Sequence, residues 1–163
     1  MQQEQLDAME QIEKLKNDEQ FQQNLQTLAK EAKEENSVAK MYQFLDATLL
    51  VQDESQQDEA IDEIYTLILQ TAFDDLAKHL ADERKFDYED DEQLSRLRAI
   101  YEHGIEKYSG GDFKGAKEIF LILYHVFDAE HMKLPLLVHV TAASKELDFE
   151  EFIENYADSE KIA

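Results

Sequence analysis

The chain has 163 residues, with 38 acidic side chains against 16 lysines and arginines, a formal net charge of −22, one proline, four glycines and no cysteine. Without thiols, disulfide frameworks, Cys-ligated zinc, iron–sulfur clusters and thiol catalysis are excluded, and the charge argues against nucleic acid and anionic membranes as partners. So few glycines and prolines disfavour an all-β architecture, while 43% hydrophobic residues suffice for a real core, so the expected class is all-α.

Residues 1–36 read as an amphipathic N-terminal helical segment rich in Gln, Glu and Lys. Its apolar residues Leu6, Met9, Ile12, Leu15, Phe21, Leu25 and Leu28 fall at steps of three and four, with Asn17 and Asp18 interrupting the stripe. This predicts two helical pieces or one kinked helix. The stripe is thin enough to need a partner surface, and pairing with a second copy would supply one. Neither a basic-then-apolar signal peptide nor an apolar run of membrane-spanning length is present, so the expected location is the cytoplasm.

Residues 37–82 read as a helical hairpin or bundle. Ser37 suits an N-cap, followed by Met41, Tyr42, Phe44, Leu45, Leu49 and Val51, with Asp53, Glu54 and Ser55 ending that helix. A further helix opens on Asp58, Glu59, Asp62 and Glu63 and continues through Ile61, Tyr65, Ile68, Ala72, Leu76 and Leu80, with Ile64, Leu69 and Phe73 widening the apolar face. Residues 83–92 are almost wholly polar and read as an acidic linker. They lack the central glycine and closing glutamate of an EF-hand loop.

From residue 93 onward the pattern is helix, Ser109-Gly110-Gly111-Asp112 turn, helix. The first helix carries Leu97, Ile100, Tyr101, Ile105 and Tyr108. Asp112 caps the second, which carries Phe113, Ala116, Ile119, Phe120, Leu123, Tyr124 and Phe127. An echo follows. Pro135 suits a first helical turn, and Asp148, Phe149, Glu154 and Tyr156 repeat Asp112, Phe113, Glu118 and Phe120 at an offset of 36, with Phe152 in the place of Ala116.

On these residues the segment resembles a tetratricopeptide repeat, a helix-turn-helix unit of about 34 residues. Gly104 matches the small residue where the two helices approach, Tyr108 the aromatic ending the first helix, Gly111-Asp112-Phe113 the turn, and Ala116 and Phe120 the small and aromatic residues of the second helix. His103, Leu123 and Asp128 depart from the pattern. The resemblance implies an array of about two degenerate repeats over 93–163, on which the N-terminal bundle packs. More weakly, Tyr108 to Asp128 is similar to the first repeat of the tetratricopeptide-type chaperones of type III secretion. Those are small acidic proteins that dimerise through N-terminal helices and hold hydrophobic export substrates. The match to that family, which carries three repeats, is one good unit and one poor one.

No chemistry emerges. No two of the five histidines lie three or four residues apart, there is no Gly-x-Ser-x-Gly, and the adjacent glycines sit between two helices rather than in a phosphate loop. The expectation is no enzyme, no metal and no cofactor. In the repeat register Arg98, Tyr101, Ile105 and Tyr108 fall on a concave face that Leu134, Leu137 and Thr141 extend, and Tyr and Arg are favoured where binding energy concentrates. Packing of Tyr101 and Tyr108 under the N-terminal bundle is the competing reading. The function expected is a protein-interaction module, adaptor or chaperone-like, holding a basic or amphipathic peptide or helix. The alternative is an acidic mimic of nucleic acid that occupies a basic DNA- or RNA-binding protein.

Overall fold

The fold is all-α. The computed structural model describes residues 2–51, 59–127 and 129–155, the side chains of 149, 154 and 155 excepted. Asp53–Ser55, Asp58, Asp128 and Tyr156, used above as helix signals or repeat matches, lie outside them. The described helices are α1 (Gln2–Lys16), α2 (Glu19–Glu35), α3 (Val38–Val51), α4 (Glu59–Ala81), α5 (Asp91–Ser109), α6 (Phe113–Val126), α7 (Glu130–Ser144) and α8 (Phe149–Asn155). None is long and apolar enough to cross a membrane. The chain divides into two compact units, 1–68 and 69–163, and the division falls inside α4.

In the first unit the interruption at Asn17-Asp18 separates two helices. Asp18 caps α2, its carboxylate accepting from the N–H groups of Gln20 at 2.9 Å and Phe21 at 3.4 Å. The closest helix pair here is α2 with α3, joined only by Asn36 in the left-handed conformation (φ 52°) and Ser37, whose hydroxyl accepts from the Lys40 N–H at 3.2 Å. The expected division at 36/37 therefore cuts through a hairpin, because the two-residue turn is too short to separate α2 from α3. Leu25, Ala32, Val38, Met41, Phe44, Leu45 and Val51 of this pair are buried. Lys40 reaches back to Glu35 at 2.7 Å, and that hydrogen bond, with the neighbouring Glu31, raises the ammonium pKa. By contrast α1 buries no residue.

The buried stripe of α4 also differs from the expected one. Ile61, Ile64, Ile68, Thr71, Ala72, Leu76 and His79 are inside, while Tyr65 and Leu80 are exposed. Apolar residues on two adjacent faces left the stripe ambiguous, and packing selects the face that passes through Thr71 and His79.

The second unit overturns the linker reading of 83–92. Phe86 is wholly buried, and its N–H donates to the Val126 carbonyl at 2.8 Å, making an isolated parallel bridge with Phe127. The Phe86 ring stacks on His79 at 3.9 Å. His79 in turn lies beside Asp75 (3.2 Å), which pairs with Arg96 at 3.1 Å. One aromatic residue in a polar run thus ties α4 and α6 together. Asp90 then caps α5 by accepting from the Gln93 N–H at 3.0 Å.

Helices α5 and α6 form a tight hairpin, followed by α7 against α6. The close approach expected at Gly104 is present: a Cβ there would lie 2.8 Å from Phe120 Cε1 and 3.0 Å from Ile119 Cγ2. Asp112 caps α6 as expected, accepting from the Gly115 N–H at 2.9 Å. Pro135, expected in a first turn, instead sits inside α7, which starts five residues earlier at Glu130.

Helices α2, α4, α5 and α7 end the same way. A residue of positive φ (Asn36, Glu83, Gly111, Glu146) is followed by one whose N–H reaches the carbonyl five residues back, in Ser37→Ala32, Arg84→His79, Asp112→Lys107 and Leu147→Ala142. This closure satisfies carbonyls that the helix end would otherwise leave open.

Candidate binding site on the second unit

The expected partner-binding residues separate into four places. Arg98 and Tyr101 line a cavity of about 370 Å³. Leu134, Leu137 and Thr141 line a different one of about 210 Å³, with Val138, Ala142 and Leu147. Ile105 is half-buried and lines neither. Tyr108 is only 2% exposed and therefore unavailable to a partner. Its hydroxyl donates to the Leu147 carbonyl at 2.6 Å, and its ring packs on Phe113 and Phe152 at 5.5 and 5.4 Å. Burial, reinforced by Asp148 and Glu151, pushes the Tyr108 phenol pKa above its ordinary value. Placing Tyr108 on an open face is thus corrected: as the last aromatic of α5 it pins the turn between α7 and α8. Phe113, Phe152 and Leu147, which hold it, all belong to this unit.

The larger cavity is built from three helices and the strap before them. Leu94, Leu97, Arg98 and Tyr101 come from α5 at helical steps of three and four, Leu123 from α6 with Phe127 at its C-cap, and His131, Met132 and Leu136 from α7. Tyr88 completes the wall, stacked on Phe127 at 6.1 Å and edge-on to His131 at 5.6 Å. Leu94 is 41% exposed and stands at the mouth. Such a volume is at the small end of the roughly 300–1,000 Å³ usual for ligand sites, enough for a few apolar side chains. Arg98 is turned along its own helix, its Nε donating to Glu102 at 2.8 Å.

Tyr101 is held from behind. Its hydroxyl donates to His139 Nε2 at 2.8 Å, and His139 Nδ1–H donates to the Pro135 carbonyl at 2.7 Å. The His139 ring lies among Phe152 (4.9 Å), Phe120 (5.1 Å) and Tyr101 (5.4 Å). In this aromatic surround burial lowers the His139 pKa, and it raises that of Tyr101. The histidine is neutral and orients a cavity wall.

Two other features bear on chemistry. His103, at a position where the repeat pattern calls for an apolar residue, is half-buried and edge-on to Phe73 at 5.4 Å; its buried Nδ1 has no hydrogen-bond partner among the described residues. Among the described residues no group of three or more His, Asp or Glu side chains is arranged to hold a metal ion. Of the ten residues that line this cavity, sequence reasoning placed only Arg98 and Tyr101 at a binding face and missed the other eight, Tyr88 and Leu94 among them. The available signal was Phe86-Asp87-Tyr88, an apolar–polar–apolar alternation that marks an extended half-buried segment.

Compared with known protein families, curated proteins and solved structures, the chain matches none.

Proposed function

We propose that this chain is a cytoplasmic protein-interaction module, adaptor or chaperone-like, whose second unit acts as a short tetratricopeptide-like array and holds a partner peptide or helix in the groove between α5 and α7. One observation carries the reading: an almost wholly apolar cavity of about 370 Å³ opens between α5 and α7, beside the end of α6. Apolar concavities with a few polar groups at the edge are the usual form of a binding site, and a helix laying side chains at steps of three, four and seven suits a groove of this kind. The acidic surface would raise the encounter rate with a basic partner.

The test uses Leu94→Asp, which places a charge at the mouth on a residue already part-exposed, with Leu134→Asp, outside that cavity, as control. Partners captured from lysate at moderate salt are lost with the first variant and kept with the second. Equal capture by both would remove the groove from the reading. Capture that persists in both but collapses between low and moderate salt, with basic nucleic-acid-binding proteins as the captured species, would favour the acidic mimic.

A further inference from the structure

The charges around the groove narrow the chemistry of its occupant. The cavity lining carries a single formal charge, Arg98, already engaged by Glu102. Between the lining residues Tyr88 and Leu94 the chain runs through Glu89, Asp90, Asp91, Glu92 and Gln93, four of them acidic. Two of these have structural duties: Asp90 caps α5, and Glu92 accepts from Arg96 Nε at 3.1 Å. Glu89 and Asp91 are exposed, and no basic group among the described residues pairs with either carboxylate. Asp91 stands one helical turn before Leu94, on the side of α5 that carries the lining residues Leu94, Leu97, Arg98 and Tyr101. An apolar slot thus ends in two uncompensated carboxylates on a chain of net charge −22.

We infer that the occupant is a basic amphipathic segment: one or two bulky apolar side chains enter the cavity, and lysines or arginines immediately beside them meet Glu89 and Asp91. An acidic occupant would add like charge at the mouth, a repulsion that selects against it. A neutral apolar segment would leave both carboxylates facing the ligand unpaired. The inference rests on the groove reading above and specifies which partners that groove accepts.

The experiment measures fluorescence anisotropy of labelled 15-residue amphipathic peptides on the full chain. One has leucine and phenylalanine anchors at steps of three and four with lysines elsewhere. A second replaces the lysines by glutamate, and a third keeps the lysines but replaces the anchors by alanine. The lysine peptide is expected to bind about tenfold or more tighter than either control at 150 mM salt, the charge effect being still partly unscreened there. Glu89→Gln with Asp91→Asn weakens the lysine peptide several-fold, and Leu94→Asp abolishes anchor-dependent binding without changing the thermal midpoint. If the lysine and glutamate peptides bind equally and both lose binding in Leu94→Asp, the basic-partner inference falls while the groove survives. If the lysine peptide binds Leu94→Asp, or binds without anchors, as well as it binds wild type, the groove reading falls too. Failure of all three peptides to bind overturns the inference.

Discussion

Two stretches of the second unit, α5–α6 and α7–α8, close with the same turn and are packed by opposite solutions. In each turn three N–H groups reach back four, three and five residues: Gly110, Gly111 and Asp112 in the first, Lys145, Glu146 and Leu147 in the second. Aligned on those turns, Gly104 corresponds to His139 and Gly111 to Glu146; aligned on the caps Asp112 and Asp148, Ala116 corresponds to Phe152. The first hairpin is close because small residues let Phe120 sit directly on the backbone of α5. The second has a ring in each small-residue place, and among the described residues the backbones of α7 and α8 come close at few points. Its own interior is then filled by His139 and Phe152, whose rings pack on each other and on aromatic rings of the first hairpin. A shared turn does not impose a shared interface; the residue sizes one or two turns away decide it.

At Gly115 a Cβ would run into the Asp112 carboxylate, which bonds the N–H of Gly115 itself. The corresponding residue in α8 is Glu151, and the Asp148 carboxylate there accepts from the N–H of Glu150 at 2.9 Å.

The strongest way to break the contrast is Phe120→Ala. Phe120 is wholly buried, touches the Gly104 backbone and packs on His139, so both hairpins lose a wall. A loss of about 3–5 kcal/mol is expected for a fully buried Phe, read by urea unfolding with far-ultraviolet circular dichroism. A loss below about 1 kcal/mol would mean that the tight interface does not carry the hairpin.

The second effect depends on pH. Because burial lowers the His139 pKa from its ordinary 6.5, the unfolded chain takes up a proton on acidification before the folded chain does. Stability from this residue is therefore complete above pH 6.5 and is lost as pH falls through 6.5 toward the lowered value, with a slope of up to about 1.4 kcal/mol per pH unit. The stability difference between wild type and His139→Gln should shrink from pH 7.5 to 5.5. A difference that stays constant over that range would show that His139 takes up its proton as readily in the folded chain as in the unfolded one, and that burial does not lower its pKa. Tyr101 shares this histidine, so the fluorescence of an anchored peptide in the groove offers an independent readout.

How much of this was legible in the sequence differs between the two hairpins. Gly104, Ala116, Phe120 and the Asp112 cap could be placed because small and large residues alternate there at helical spacing. The second hairpin kept the Asp-aromatic spacing but lost the small residues, and its turn is one residue longer: the caps repeat at an offset of 36 and the left-handed residues Gly111 and Glu146 at 35. Without a glycine at 146, nothing in composition marks where α7 ends. Pro135 pulled the expected helix start in the wrong direction, because its effect on a helix interior was outweighed by packing along the rest of α7. Tyr88 and its neighbours were hidden for another reason: acids dominate 82–92, and the Phe86 contact that folds this strap back is long-range.

The smallest effect isolates the turn itself. Gly111 and Glu146 occupy the same place, with φ of 88° and 52°, and a Cβ at Gly111 would meet no atom within 4 Å. Replacing Gly111 therefore exposes backbone strain without a clash, and Gly111→Ala should cost about 1 kcal/mol, the usual penalty of an L-residue in that region. Glu146→Gly removes the same strain, and it also removes an acid from a helix C-terminus, where the helix dipole disfavours negative charge. The greater freedom of glycine in the unfolded chain offsets part of this, leaving a gain of about 0.5–1 kcal/mol in thermal or urea unfolding. Opposite signs at the two positions would make them equivalent in solution as they are in geometry. A destabilised Glu146→Gly would mean that the Glu146 side chain contributes more to the second turn than its strain takes away, and the two turns would then share a hydrogen-bond pattern without sharing an energetic basis.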